Sequence, residues 1–150
     1  MSFELHVQPC RFDGTTDKRV NPVTKQLQDI PRNQPLSELE VSAVRKILEG
    51  VGAKVPDERG CYVARLPDGA KVEVEGVALH LGCTFSIEGT VVTVALAQLL
   101  FDVIVAGNWV ILGEDCIIAP NAECVWGAPD AFGRVCVATS ARKVSALLNS

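Results

Sequence analysis

Apolar and polar residues alternate from Phe3 to Val7, with Phe3, Leu5 and Val7 on one side and Glu4 and His6 on the other. A period of two predicts a half-buried strand. Pro9 lacks an amide hydrogen, so the continuation reads as a sheet edge or a bend. From Asp13 to Pro35 the alternation fades. This stretch holds Pro22, Pro31 and Pro35 among Lys18, Arg19, Lys25 and Arg32. With so little to bury, it reads as a mobile arm or loop, as a binding loop, or as concealing a short strand near Val20 or a helical turn near Val23 to Leu27.

A helical period follows. Ser37 and Glu40 form a capping box, and Leu36 with Val41 suits a hydrophobic staple. The helix runs to about Leu48, with Val41, Val44, Ile47 and Leu48 on its apolar face. Gly50 and Gly52 end it.

Cys61 to Leu66 reads as a strand, Pro67-Asp68-Gly69 as a turn, and Lys71 to Val74 as the returning strand of a hairpin. Gly76 is a break. Val77 to Leu81 and Thr84 to Ile87 read as two further strands around Gly82, or as one strand with a bulge there. A helix over Val92 to Ala106 follows Gly89-Thr90 and stops at Gly107-Asn108. Val94, Leu96, Leu99, Leu100, Phe101, Val103, Ile104 and Val105 leave it apolar nearly all round, so it needs cover on more than one side. The C-terminal helix, the long loop or a second copy of the chain would supply that cover. A homodimer is therefore expected, with this helix or the strand beside it at or near the interface.

Trp109 to Leu112 and Cys116 to Ala119 read as a hairpin around Gly113-Glu114-Asp115. Asn121 to Phe132 is irregular, Val135 to Ala138 is a short strand, and Ser140 caps a final helix carrying Val144, Leu147 and Leu148. The chain is read as one α+β domain over residues 1–150, a mostly antiparallel sheet with about three helices packed on it.

Composition narrows the function classes. The 150 residues are 48% apolar, enough for a core without metal or disulfide staples, and the net charge is −4. That balance disfavours nucleic-acid binding through phosphate contacts. The run Val91 to Val105 is interrupted by Gln98 and Asp102 and has no flanking Lys or Arg, so no membrane span is expected. Met1-Ser2-Phe3-Glu4 does not begin a secretion signal, and a cytoplasmic setting is expected. The six cysteines (Cys10, Cys61, Cys83, Cys116, Cys124 and Cys136) then read as thiols. None forms a C-x-x-C pair, so no metal is expected, and no motif points to a cofactor.

Charge is distributed unevenly. From Val72 to Gly133 there is no lysine or arginine, while the window holds eight carboxylates: Glu73, Glu75, Glu88, Asp102, Glu114, Asp115, Glu123 and Asp130. Such a surface suits a basic protein partner. The leading reading is a non-catalytic interaction protein, immunity-like or antitoxin-like, that offers Glu88, Glu114, Asp115, Glu123 and Asp130. Trp126, beside Gly127, Pro129 and Phe132, is a candidate anchor. The alternative is a small-ligand-binding protein or enzyme with a pocket near His80, Cys83 and Asp102. A Cys–His pair there requires a bulge at Gly82, because residues three apart on a strand point to opposite faces.

Overall fold

The computed structural model describes residues 2–9, 12–20, 25–33, 36–51, 61–75, 82–89, 91–112, 116–122 and 134–149. In chain order the strands are β1 (Ser2–Pro9), β2 (Phe12–Val20), β3 (Leu27–Asn33), β4 (Cys61–Arg65), β5 (Lys71–Glu75), β6 (Cys83–Glu88), β7 (Trp109–Leu112), β8 (Cys116–Ala119) and β9 (Arg134–Val137). The helices are α1 (Glu38–Gly50) before β4, α2 (Val94–Gly107) before β7, and α3 (Ala141–Leu148) after β9. The α+β reading holds: among the described residues, three helices accompany a mostly antiparallel sheet of seven strands, ordered β4-β5-β6-β1-β7-β8-β9.

β1 lies at the centre of that sheet. It pairs antiparallel with β6 on one side and with β7 on the other. Pro9 does not push it to an edge, because it is the last residue of the strand, opposite Trp109, where a missing donor disturbs little of the ladder. One pairing is parallel, β8 with β9. The hydrophobic pattern carries no sign of strand direction, so this was not legible in the sequence.

Alternate residues of the sheet join all three helices in one core. From the strands come Leu5, Val7, Tyr62, Ala64, Val72, Val74, Phe85, Ile87, Trp109, Ile111 and Ile118, and from the helices Val41, Val44, Leu48, Leu96, Leu100, Val103, Ile104 and Val144. α1 forms where expected: Ser37 Oγ accepts from the Glu40 amide at 3.3 Å, and Glu40 Oε1 accepts from the Ser37 amide at 3.1 Å.

α2 is less enclosed than its composition implies. Its buried residues (Leu96, Ala97, Leu99, Leu100, Val103, Ile104 and Gly107) face the sheet and the flanking helices α1 and α3. Val94, Gln98, Asp102 and Val105 form an outer stripe, in which Val94 is 82% exposed. The C-terminal helix supplies part of the cover over the buried side of α2, while the apolar Val94 and Val105 stay on the exposed stripe. Asn149, just past α3, ties the two helices together: its Oδ1 accepts from the Val92 amide and its Nδ2 donates to the Val92 carbonyl, each at 2.9 Å.

The stretch Asp13 to Pro35, read as lacking regular structure apart from a possible short strand or turn, carries β2 and β3. These pair antiparallel as a separate two-stranded sheet, with Val20 opposite Leu27 and Lys18 opposite Asp29. Alternation of apolar residues marks strands that lie on a core. This hairpin shows too little of it to be recognised. No helix among the described residues is long and apolar enough to cross a membrane.

Candidate functional site

The sheet has a second face, turned away from the described helices. Pairing register fixes what stands on it, because directly opposed residues share a face. One rung crosses all seven strands: Cys61, Glu75, Thr84, His6, Leu112, Ile117 and Val135. The next holds Val63, Glu73, Ser86 and Glu4. Beyond it stand Arg65 and Lys71, opposite one another, with Glu88.

This face has two halves. Over β7 to β9 it is apolar and largely buried: Val110, Ile117 and Ala119 form a small buried cluster with Leu112 and Val135 packed against it, and only Val137, opposite Ala119, is exposed among the described residues of this half. Over β5, β6 and β1 it is polar and reaches solvent, while β4 adds a buried Cys61 and an exposed Val63. Glu4, His6 and Glu75 are exposed there, and Glu73, Thr84 and Ser86 are partly so. His6 stands at the boundary, its Nδ1 3.0 Å from Thr84 Oγ1. That pair resembles the start of a nucleophilic dyad. Such a dyad needs a third group to orient the imidazole, and no described carboxylate contacts His6. The described side chains here present hydrogen-bond acceptors and negative charges on an open surface, which can contact cationic groups.

Of the residues expected to form an acidic site, the structure describes one. Glu88 lies at the end of β6, exposed, 3.9 Å from Lys71 Nζ. Glu114, Asp115, Glu123, Trp126 and Asp130 lie outside the described residues, as does His80. Lys71 ends the basic first half of the chain, yet hairpin pairing sets it beside Glu88. A window free of cations in sequence is thus bordered by cations in space. The four described carboxylates of the window also divide: Glu73, Glu75 and Glu88 share the open face, while Asp102 sits on α2 in the helical layer.

The two described members of the alternative pocket are set in unlike surroundings. Cys83 faces the core beneath the helices, opposite Val7, and burial pushes its thiol pKa far up. That is the reverse of the activation a nucleophilic cysteine needs. Asp102 accepts from Gln98 Nε2 at 2.8 Å on the outer stripe of α2. Its carboxylate escapes the cost of isolated burial by facing outward. No group of three or more metal-ligating side chains occurs among the described residues.

Sequence reasoning did not single out Glu4, Glu73 and Glu75 as one site. Alternation within each strand showed their common side. Which strands are neighbours, and in what register, comes only from pairings such as Glu4 with Ser86 and Ser86 with Glu73. Comparison of the chain with protein-family models, with curated proteins and with solved structures gives no match.

Proposed function

We propose that the protein is a non-catalytic interaction protein whose open sheet face receives a basic protein partner, in the manner of an immunity-like or antitoxin-like inhibitor. One observation carries this reading. Glu4, Glu73 and Glu75 occupy adjacent rungs of the solvent-facing half of the sheet, and no Lys or Arg stands in those two rungs among the described residues. A sheet held from behind by a packed helical layer is rigid, so a partner meets a preformed set of charges at little ordering cost. A cytoplasmic setting accords with Cys83 and Cys136, which form no disulfide.

The site offered has shifted from the sequence reading. It centres on Glu4, Glu73 and Glu75, with Thr84 and Ser86 as hydrogen-bonding groups between them. A decalysine peptide titrated against the protein at low and high salt tests it. Binding should weaken with salt, as screening of exposed charges requires. The double reversal Glu73→Lys/Glu75→Lys should abolish it. The matched reversal Glu38→Lys/Glu49→Lys, on the exposed side of α1, should leave most of it. Equal losses from both pairs would mean that net charge alone attracts the peptide, and would overturn the reading.

A further inference from the structure

The β2–β3 hairpin stands apart from the rest of the fold as a sheet of its own. Along one of its faces the register sets Val20 opposite Leu27, Lys18 opposite Asp29 and Thr16 opposite Pro31. Val20 and Leu27 are 59% and 68% exposed, and Thr16, Lys18 and Asp29 are exposed with them. An isolated two-stranded hairpin is marginally stable in water, and gains stability by packing its face on something else. Here an apolar cross-strand pair lies on the face left open, beside a rung that holds one cation and one anion.

From this we infer that the hairpin face docks against the same face of a second copy of the chain, about a two-fold axis. A two-fold contact requires a self-complementary patch. This face meets that condition. Antiparallel apposition stacks Val20 and Leu27 of one copy on Leu27 and Val20 of the other, and sets Lys18 of each against Asp29 of the other. A patch of one sign would repel its own copy, and a purely apolar one would set no orientation. Edge-to-edge extension is less suited. Proline inside a strand sits where its N–H would point outward, so the outer edge of β3 lacks a donor at Pro31. The inference is independent of the acidic sheet face and places the dimer contact away from α2.

The contact is small. A ladder of about seven residues measures roughly 24 Å by 10 Å, well under the roughly 800 Å² per partner of a standard interface. The dimer is accordingly weak and depends on concentration, with dissociation at about ten micromolar or above.

Sedimentation equilibrium across a concentration series of the full chain tests the inference. The average mass should rise from 16.1 kDa toward twice that value. Leu27→Glu should hold it at the monomer, with the far-UV circular dichroism of the wild type as the check on folding. The decisive arm uses Lys18→Glu and Asp29→Lys. Each alone sets like charges against each other across the axis and should stay monomeric. Mixed in equal amounts, the two variants oppose Glu with Lys and Asp with Lys, and the dimer should return. Rescue by mixing cannot arise from repair of a contact within one chain. A wild type that stays monomeric throughout would overturn the inference and leave the face to a different occupant. A dimer indifferent to all three substitutions would overturn it by placing the contact elsewhere.

Discussion

Gly82 has no room for a side chain. Its φ is +106°, a left-handed conformation that L-residues rarely adopt, and a Cβ there would run into the Val7 carbonyl oxygen and come within 2.8 Å of Gln8 Cα. The glycine lets the chain enter β6 against the central strand. Gly82→Ala should therefore cost on the order of 3 kcal/mol or more, read from the urea midpoint. A loss below ~1 kcal/mol, no more than a positive φ alone would cost, would show that β1 can move aside. The sequence marked this position as a bulge or break, which is as far as a lone glycine between apolar runs can be read. What it is pressed against came only with the register.

Asp68 works at the same scale through charge. Its Oδ1 accepts from the Ala70 amide at 3.2 Å within the β4–β5 turn, and its Oδ2 accepts from the Ala95 amide at 3.3 Å in the first turn of α2. The hydrogen bond from Ala70, assisted by those from Thr93 and Ala95, holds the carboxyl below its ordinary 3.8. A lowered folded value means that the ionised form favours the folded state. The stabilisation is complete above the unfolded value and disappears as pH falls through the folded one. Between pH 5 and pH 2.5 the wild type should lose more stability than Asp68→Asn, whose amide does not titrate. Equal urea midpoint shifts for the two proteins would show that the carboxylate contributes nothing to the junction. The turn residues Pro67-Asp68-Gly69 were legible. The reach of Asp68 to α2, 27 residues further on, was not, because local patterns do not encode tertiary capping.

At the scale of elements, α1 and α2 differ in how well their patterns could be read. In α1 the period alone separates Val41, Val44 and Leu48 from the solvent side, and the burial agrees. In α2 nearly every position is apolar, so the period is faint. Only Gln98 and Asp102 mark the outer stripe by residue type, and packing against α1 and α3 separates the exposed Val94 and Val105 from the buried apolar residues. The hairpin fails the other way, with few apolar residues and a ladder held by backbone pairing. That ladder changes where the segment should be cut. A protease needs several residues in extended form free of a paired neighbour. Lys18 and Arg19 lie inside β2, whereas Lys25 is exposed, at φ 62°, in the connection between the strands. Brief trypsin treatment should cleave the hairpin after Lys25 before Lys18 or Arg19, as mass spectrometry of the fragments would show. Earlier cleavage at Lys18 would mean that the ladder opens readily in solution.

For the molecule as a whole, class and layering followed from the succession of hairpins and amphipathic segments, while topology did not. Nothing in the pattern of β1 indicates that its neighbours are β6 and β7, or that β8 and β9 run parallel. The candidate site suffered from the same gap. Glu4, Glu73 and Glu75, which centre the open face, come from β1 and β5, which are not adjacent in sequence or in the sheet. β6 lies between them and brings Ser86 into line with both Glu4 and Glu73. Counting charges along the chain located an acidic region but missed Glu4, outside the window, and Lys71, at its border.

The central place of β1 governs the order in which the molecule can assemble. Without it, the other six strands fall into two groups of three, β4-β5-β6 and β7-β8-β9, with no pairing between them. Each group is built of nearer neighbours and forms by closing shorter loops. β1 joins them only through residues far along the chain, His6 with Thr84 and His6 with Leu112. On a ribosome β1 emerges well before either partner and must therefore wait, with Leu5 and Val7 uncovered, until β6 and then β7 have left the exit tunnel. At about 5–20 residues per second, this delay lasts from about five seconds to some twenty. Closure over so long a separation slows folding further. The strand that unifies the finished sheet is also the one with the longest exposure to wrong partners. Glu4 and His6, which alternate with its apolar residues, keep half of it soluble in the meantime.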